Sequence, residues 1–386
     1  MRILFVNEYA GYFGGVEQNI AHTSRALRAR GHSTHLAYRA ATDKNFEEYT
    51  QLFEELHPCL ELGAPGGSEF AAIIKQVEPD SVYIHRVEAV SPFLDLPCKV
   101  TRMIHDHDIC CPRRHKYYVW NRQVCRHKAD WRCWLDLAFL ERDRDSKLGV
   151  RFKNLFAHKA EMKKHFGLDQ LLVASVFMRE ELVMNGFAED KVRILAPLVP
   201  SPDREPTPPA EDPHVLSVGQ LIQGKGVDLL LHALALLECP YRATIVGGGN
   251  HQPKLESLVR DLGLEDKVRI AGWIAHEELH DLYQNCRVVA VPSRWPEPYG
   301  MIGLEAMGYG RPVVGFAAGG IPDWLIDGEN GFLIEELNVE SFSRALDLLL
   351  RDPERAEQLG RRGFELTRTR FSFHNYIDQL EKLLVS

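Results

Sequence analysis

Short apolar runs alternate with amphipathic stretches along the chain, a pattern that predicts parallel strands connected by helices. In the first half the predicted strands cover 3–6, 34–38, 81–84, 100–104, 171–174 and 192–195, with helices over 14–30, 45–56 and 68–77. In the second half they cover 215–218, 243–246, 268–271, 288–291 and 313–316, with helices over 226–237, 251–262, 276–284 and 299–307. The sequence therefore predicts an α/β protein with two Rossmann-like, doubly wound domains.

A proline-rich segment interrupts this alternation between Pro197 and Pro213 and predicts an extended linker. We accordingly expect a first domain over 1–200, a linker over 201–213 and a second domain over 214–370. Beyond them, the spacing of apolar residues predicts a final amphipathic helix near 373–385, so that 371–386 form a separate C-terminal element.

Two carboxylates, Glu297 and Glu305, flank a predicted junction between a strand and a helix. Pro298 suits a first helical position, which places the free backbone amides of 299–302 at the helix N-terminus, where phosphate oxygens bind. Ionised carboxylates accept hydrogen bonds from vicinal hydroxyls, so the segment predicts a site for a nucleotide sugar. The alternative is an ordinary amphipathic helix with two solvated glutamates.

This segment resembles the retaining GT-B glycosyltransferases of family 4, whose hallmark is Glu, seven residues, then Glu followed by Ala, here ending at Ala306. The resemblance extends over most of the chain. It implies two domains that face a crevice, with the last helix crossing back to the first domain. It also implies that Glu305 binds the ribose diol, that Glu297 holds hydroxyls of the donor sugar, and that the backbone of Tyr299, Gly300, Met301 and Ile302 faces the donor.

A second segment, 218–227, resembles the part of that family in which an arginine and a lysine hold the donor pyrophosphate. Lys225 matches the lysine, whereas the arginine position is Gln220, which donates a hydrogen bond but cannot neutralise charge. Lys225 is therefore expected to assist departure of the leaving group, either alone or with another base such as Arg294.

Glycine-rich turns follow several predicted strands. Gly14 and Gly15 open the first helix, where glycine lets backbone amides approach a phosphate, although a plain turn would use them as well. By the resemblance, Gly247 lines the nucleotide site and Ile274 lies in the segment that contacts the base. The run 317–323 matches the family's loop after the helix that carries Glu305.

The sequence His105, Asp106, His107, Asp108 ends a predicted strand of the first domain. Asp106 and Asp108 resemble the metal-binding pair of the other glycosyltransferase architecture, in which they hold a divalent cation on a diphosphate. The alternative takes His105 as the histidine that family 4 places near the reacting centre. We favour His105, and expect neither a catalytic metal nor a cofactor.

Composition is that of a globular protein, with 45% hydrophobic and 26% charged residues, and no apolar run is long enough to cross a bilayer. The N-terminus lacks the features of a signal peptide, which predicts a cytoplasmic protein. Net charge is −8, yet residues 113–164 carry 15 basic and 6 acidic residues, +9 locally. Basic residues interleaved with aromatic ones over 113–134 suit a membrane surface or a lipid-linked acceptor, the alternative being an ordinary solvated insertion, and we expect no nucleic-acid partner.

Four cysteines, Cys110, Cys111, Cys125 and Cys133, lie in the same basic stretch, close in sequence to three histidines. Their spacing does not match a zinc motif. Buried thiols are the favoured interpretation, and a structural zinc or an iron–sulfur cluster is the alternative.

Together these residues predict a retaining glycosyltransferase that moves a sugar from a UDP- or GDP-sugar donor to an acceptor hydroxyl. The acceptor would be a sugar or a lipid-linked molecule, as in polysaccharide, glycolipid or glycoconjugate synthesis. Two other classes share the fold or the binding site: a nucleotide-sugar epimerase, and a non-catalytic nucleotide-sugar binder, which Gln220 would suit.

Overall fold

Seven parallel strands form the sheet of the first half of the chain, in the order β3-β2-β1-β4-β5-β8-β9. The structure is a computed structural model, which describes residues 1–12, 14–42, 46–63, 68–118, 123–142, 149–198, 200 and 205–385. The strands are β1 (Arg2–Ala10), β2 (Ser33–Ala41), β3 (Glu55–Pro58), β4 (Ser81–Ile84), β5 (Lys99–Ile104), β8 (Gln170–Val173) and β9 (Val192–Ile194), with a separate antiparallel pair β6 (Leu140–Arg142) and β7 (Val150–Phe152). The helices are α1 (Gly15–Ala29), α2 (Phe46–Thr50), α3 (Ser68–Val77), α4 (Arg132–Leu135), α5 (Leu155–Lys164) and α6 (Val176–Met184).

A second parallel sheet of six strands has the order β12-β11-β10-β13-β14-β15. Its strands are β10 (His214–Val218), β11 (Arg242–Val246), β12 (Val268–Gly272), β13 (Val288–Val291), β14 (Val313–Phe316) and β15 (Gly331–Ile334). The helices are α7 (Val227–Ala235), α8 (Gln252–Asp261), α9 (His276–Gln284), α10 (Met301–Gly308), α11 (Val339–Arg351), α12 (Pro353–Arg368) and α13 (Phe373–Val385). The predicted α/β class with two doubly wound parallel sheets is confirmed.

Contacts divide the chain into two units. The first comprises 1–115, 126–200 and 373–386, and the second comprises 116–125 and 201–372. The expected boundary differs from this division at 116–125, which groups with the second unit. Helix α13 belongs to the first unit, where the hydroxyl of Tyr376 lies 3.3 Å from Thr23 Oγ1 on α1 and Arg30 donates to Glu381 at 2.8 Å.

Two element predictions were wrong in detail, and one strand of the second sheet was not predicted. The helix expected over 45–56 is short, and strand β3 occupies the end of that range. Strand β15 has glycine as its first residue and was not predicted. The helix expected from Tyr299 begins at Met301, so Pro298 is not a first helical position, and Glu305 lies little more than one turn into α10.

Strand order places one crevice in each sheet. In the first sheet the order reverses between β1 and β4, and in the second between β10 and β13. Ligands of doubly wound sheets bind at such reversals, beyond the carboxyl ends of the strands. The loops after these four strands are therefore where functional side chains are expected, in each unit separately.

Candidate functional site

The loops after β10 and β13 are joined by backbone contacts at the reversal of the second sheet. The carbonyl of Gly224 accepts from the amides of Arg294 and Trp295, both at 3.0 Å. Gly226 has φ +67°, and a Cβ there would lie 1.9 Å from the carbonyl oxygen of Pro292. Glycine is required because the two loops approach so closely, and this approach brings Lys225 to the end of β13.

Glu297 is the centre of a buried polar cluster. Its Oε1 accepts from Lys225 Nζ at 2.6 Å, from Ser293 Oγ at 2.5 Å and from the indole nitrogen of Trp295 at 2.9 Å. Burial opposes ionisation, but Lys225 and these donors outweigh it and hold the pKa of Glu297 below its usual value. Glu297 is thus an ionised carboxylate with 4% exposure, and it fixes the ammonium of Lys225, which remains partly exposed.

Arg294 does not take the place of the arginine that the resemblance led us to seek. Its side chain is 2% exposed and donates to Asp228 Oδ2 at 2.6 Å. Gln220 is exposed and lies just after the carboxyl end of β10. Of Lys225 and Arg294, the two cations considered for the pyrophosphate, only Lys225 reaches the surface.

The N-terminus of α10 is shaped by a tryptophan. Gly300 precedes the helix with φ +87°, and the backbone carbonyl of Tyr299 accepts from the indole nitrogen of Trp324 at 2.6 Å. Met301 and Ile302 are half-buried and occupy the first two helical positions, whose amides have no intrahelical carbonyl to bind. The helix therefore starts at Met301, and the hydrogen bond from Trp324 fixes the carbonyl of Tyr299 just before it.

Glu305 is half-buried and accepts a hydrogen bond from the hydroxyl of Tyr283 at 3.1 Å. Tyr283 lies on α9 with 1% exposure, and its ring stacks on Tyr309 with centroids 5.0 Å apart. Sequence reasoning missed Tyr283, because nothing in its spacing relates it to Glu305. The hydroxyl holds one carboxylate oxygen of Glu305 in place.

Two further predicted positions lie at the carboxyl edge of the second sheet. Gly247 follows β11, and a Cβ there would lie 1.8 Å from the carbonyl oxygen of Gly219, so close backbone packing accounts for the glycine. Its amide donates to Gly272 at 2.7 Å. Ile274 is half-buried beside Trp273, which is 76% exposed.

In the first unit, the glycine turn after β1 contains a carboxylate. Glu17 is buried, and it accepts from the amide of Gly14 at 2.9 Å and from Asn7 Nδ2 at 3.1 Å. The amide of Gly14 is therefore already used within the turn. Gly15 is the first residue of α1, and a Cβ added there would meet open space, with nothing within 4 Å.

His105 is paired with a second histidine that the sequence did not suggest. His105 Nε2 lies 2.9 Å from Nδ1 of His85, which is buried and follows β4, and Nε2 of His85 has no hydrogen-bond partner among the described residues. A buried N–H without an acceptor costs more than an unused lone pair, which favours His85 as the donor and leaves Nδ1–H of His105 to donate elsewhere. Burial and the nearby Arg86 lower the pKa of His105 to about 3, so the ring is neutral near pH 7.

Asp106 and Asp108 line a cavity of about 470 Å³ in the first unit. The amide of Asp108 donates to Asp106 Oδ1 at 2.7 Å. Burial and the neighbouring Asp108 raise the pKa of Asp106 to about 7. Burial also opposes ionisation of Asp108, but Arg102 and Asp106 outweigh it and lower the pKa of Asp108, so the pair loses its last proton near neutral pH.

The rest of this cavity carries mixed charge. Arg86, Arg102, Arg114 and Lys153 lie in its wall with Glu8, Glu88 and Glu161. The guanidinium of Arg102 contacts Nε2 of His165, whose Nδ1 lies 2.9 Å from the carbonyl oxygen of Glu161. Cations already surround the two aspartates, and the cavity offers hydrogen-bond donors and acceptors suited to a polyhydroxylated molecule.

The basic, aromatic segment contains both buried and exposed side chains. Lys116, Tyr117 and Tyr118 are buried, and Arg113 donates to the carbonyl of Asp136. Trp120 lies outside the described residues. Exposed apolar side chains come from the end of this segment and from β7 and α5 after it: Trp131, Trp134, Leu135, Leu137, Phe152 and Phe156. We call this set the aromatic patch.

All eight cysteines lie within the described residues and are thiols, without disulfides. Cys110, Cys111 and Cys125 are buried and Cys133 is partly buried. The groups that the described side chains bring within metal-binding distance do not include these cysteines. No helix among the described residues combines the length and apolar character that a membrane crossing needs.

Residues 202–366 match the family model of the glycosyl transferases group 1. The chain is 33% identical over 179 residues to a lipopolysaccharide core biosynthesis glycosyltransferase of Rhizobium meliloti, covering 46% of this chain and 51% of that one. It is 35% identical over 226 residues to a D-inositol 3-phosphate glycosyltransferase of Kineococcus radiotolerans, and the match covers 50% of this chain and 52% of that one. The chain thus spans about half the length of these relatives. The resemblance to glycosyltransferases is confirmed, and the matched segment contains Lys225, Glu297 and Glu305.

Solved structures share the fold over the whole chain. HepE of Anabaena in complex with UDP has a TM-score of 0.74 at 20% identity, covering 100% of this chain and 99% of that one. Sucrose-phosphate synthase of Thermosynechococcus elongatus has a TM-score of 0.72 at 19% identity, covering 99% and 98%. The predicted GT-B fold class is confirmed by these likenesses.

Proposed function

We propose that this chain is a retaining glycosyltransferase that transfers a sugar from a nucleotide-sugar donor to an acceptor hydroxyl. The observation that carries the proposal is the ion pair of Lys225 and Glu297 at the reversal of the second sheet, in which Glu297 is buried and lies four residues before the first residue of α10. An ammonium fixed by an ionised carboxylate beside free helix amides is an anion site. The family match over the same residues supports a diphosphate as the anion.

In this proposal Lys225 acts on the leaving group. Negative charge grows on the diphosphate as the glycosidic bond breaks, and a preorganised cation lowers the barrier because it needs no reorientation. Glu297 holds the ammonium in place, and its own oxygens, with those of Glu305, accept from hydroxyls of the donor. Glu305 receives the ribose diol, with Tyr283 orienting its carboxylate.

His105 contributes as a neutral hydrogen-bond donor rather than as a cation or a general acid. Its pKa of about 3 leaves it unprotonated at neutral pH, and the hydrogen bond to His85 directs Nδ1–H away from the pair. A donor of this kind suits a sugar hydroxyl. The cavity that contains Asp106 and Asp108 would receive the acceptor, whose hydroxyls can bind both its carboxylates and its arginines.

Catalysis without a metal ion is part of the proposal. Arg102 lowers the pKa of Asp108, and Arg86 lies 4.0 Å from Asp106, so guanidinium groups occupy the place that a cation would take beside the two carboxylates. The donor would be a UDP- or GDP-sugar. HepE, whose fold this chain shares, was crystallised with UDP, which makes UDP-sugars the first to test.

Incubation with radiolabelled UDP- and GDP-sugars tests the function directly. A transferase releases free sugar and nucleoside diphosphate slowly even without acceptor, and the rate falls in Lys225→Ala. An epimerase would convert the label into an isomeric nucleotide sugar, and a non-catalytic binder would return the donor unchanged. Either of these two outcomes contradicts the proposal.

The aromatic patch supports peripheral contact with an anionic membrane. Trp134 lies 5.3 Å from Phe139 and 5.7 Å from Phe156 between ring centroids, so the aromatic rings adjoin one another, and residues 113–164 carry +9. Exposed apolar rings beside basic residues suit the interface of an anionic bilayer. Replacing Trp131 and Phe156 together by serine should abolish co-sedimentation with phosphatidylglycerol vesicles while leaving UDP affinity unchanged. Undiminished co-sedimentation contradicts this assignment.

A further inference from the structure

Two histidines and a glutamate meet at the edge of the first sheet, away from the loops after β1 and β4. His35 lies on β2, and Glu55 and His57 lie on the edge strand β3, with His35 opposite Glu55 in the register. Side chains alternate along a strand, so Glu55 and His57 share one face. One ligand atom from each of the three residues lies within 4.8 Å of the others. We propose that His35, Glu55 and His57 form a binding site for a zinc ion.

The hydrogen bonds around His35 define which of its nitrogens carries the proton. Ser33 Oγ donates to the carboxylate of Glu54 and lies 3.0 Å from Nε2 of His35. A hydroxyl has one hydrogen, and the carboxylate takes it, so Ser33 must accept the proton of His35 Nε2. In the neutral imidazole Nδ1 then carries a lone pair, and this nitrogen faces His57. Such a chain of partners is what fixes the orientation and tautomer of metal-binding histidines.

Distances between the donor atoms fit a tetrahedral ion. Nδ1 of His35 and Nε2 of His57 are 3.4 Å apart, and Nε2 of His57 is 3.8 Å from Glu55 Oε2. A hydrogen bond between nitrogens this far apart is weak. Zinc bonds of about 2.0–2.1 Å in a tetrahedron place neighbouring ligand atoms about 3.4 Å apart. The two imidazoles are therefore spaced as zinc ligands are, with only small adjustment needed for Glu55.

The third ligand is also oriented. Gln76 Nε2 on α3 lies 3.1 Å and 3.3 Å from the two carboxylate oxygens of Glu55. His35 and His57 are buried whereas Glu55 is half exposed, so an ion can enter from the Glu55 side and keep a water as fourth ligand.

Two imidazoles and one carboxylate favour zinc among the abundant divalent ions, since magnesium and calcium prefer oxygen ligands alone. The ion would connect β3, an edge strand of only four residues, to β2. Because zinc would bind the folded protein and not the unfolded chain, it should raise the melting temperature. The site is independent of the proposed glycosyl transfer.

The test uses full-length protein freed of metal with a chelator and titrated with zinc chloride in a calorimeter. We expect uptake of one equivalent and a rise in melting temperature, with Co²⁺ giving the visible bands of a tetrahedral site. His57→Gln should abolish uptake, and Glu55→Gln, whose exposed position makes misfolding a minor concern, should weaken it at least tenfold. His374→Gln, an exposed histidine on α13, is the matched control and should bind as the wild type does.

The result that overturns the proposal is equally specific. The proposal is wrong if the wild type takes up no zinc. It is also wrong if zinc uptake is the same in His57→Gln and Glu55→Gln as in the wild type. In the second case a thiolate-to-cobalt charge-transfer band would assign the metal to the cysteines instead. Donor turnover should not change in either variant, which separates failure of this site from failure of the proposed function.

Discussion

At the scale of single residues, Glu305 is the most direct test of nucleotide binding. Glu305→Gln replaces a charged acceptor of the ribose diol with a neutral one, so nucleotide affinity should fall by about 1–3 kcal/mol. Titration calorimetry with UDP and GDP measures the change. Tyr283→Phe is the matched variant, because it removes only the hydrogen bond that orients Glu305. It should lower nucleotide affinity by less than Glu305→Gln does. Unchanged affinity in Glu305→Gln would remove this residue from the ribose role.

Lys225 should affect turnover more than donor binding. Its charge matters most when the diphosphate leaves, so Lys225→Ala should lower kcat about a hundredfold or more, with a smaller change in KM. Lys225→Arg keeps the charge and should retain more activity than Lys225→Ala. Steady-state kinetics with the preferred donor measures kcat and KM of both variants. Equal losses in the two variants, or no loss in either, would contradict the assigned role.

Lys225 and Glu297 also make stability depend on pH. The pKa of Glu297 is lower in the folded protein than its unfolded value of about 4.3, so its ionisation stabilises the fold above that pH and ceases to do so as the pH falls through the folded pKa. Lys225→Met removes the main cause of the lowered pKa. Its melting temperature should lie below that of the wild type at pH 7, and the gap should narrow between pH 5 and pH 3.

Lys254→Met is the control for that measurement, because Lys254 is exposed on α8. Its melting temperature should stay close to the wild-type value at every pH. If the difference in melting temperature between Lys225→Met and the wild type stays constant from pH 7 to pH 3, the ion pair of Lys225 and Glu297 does not cause the pH dependence of stability.

At the scale of elements, the contact between the loops after β10 and β13 should depend on Gly226. Gly226→Ala places a Cβ 1.9 Å from the carbonyl oxygen of Pro292 at φ +67°. Gly263→Ala is a matched control, because Gly263 has φ +64° with nothing within 4 Å of its Cβ position. The free energy of unfolding of the control should fall by about 1 kcal/mol from backbone strain alone, and that of Gly226→Ala should fall by clearly more. Urea unfolding measures both variants. Equal decreases in the free energy of unfolding would contradict the close approach of the loops after β10 and β13.

The strands were predictable from sequence because parallel strands buried on both faces are nearly continuous apolar runs, as in β13 and β14. Strand β3 escaped prediction because it lies at the sheet edge and has only one buried residue, His57. The start of α10 was misplaced because Trp324, 25 residues from Tyr299 along the chain, binds the carbonyl of Tyr299. Sequence spacing contains no information on such a contact.

Sequence spacing also left contacts of the candidate site undetected. The motif pointed to Glu297, Glu305 and Lys225 as candidate site residues, since their spacing follows local elements. The partners His85 and Tyr283 were missed because each is brought to its residue by the packing of separate strands or helices. Arg294 was considered for charge alone, and its burial against Asp228 was visible only in three dimensions.

At the scale of the whole molecule, the two proposals assign metal binding and sugar transfer to different places. The proposed action on the leaving group involves Lys225 and α10 in the second unit, whereas zinc would lie at the edge strand β3 in the first unit. A chelator should therefore act on the two properties independently.

Addition of EDTA to zinc-loaded protein should leave the initial rate of transfer unchanged while lowering the melting temperature. The first effect follows because Arg102 lowers the pKa of Asp108 and Arg86 lies 4.0 Å from Asp106, so the proposed reaction needs no metal there, and the second because an ion bound only to the folded state stabilises it. In His57→Gln the rate should be as insensitive to EDTA as in the wild type, and the melting temperature should no longer respond. A rate that collapses with EDTA and returns with Mn²⁺ or Mg²⁺ would place a catalytic metal at Asp106 and Asp108, the metal-dependent alternative from the sequence.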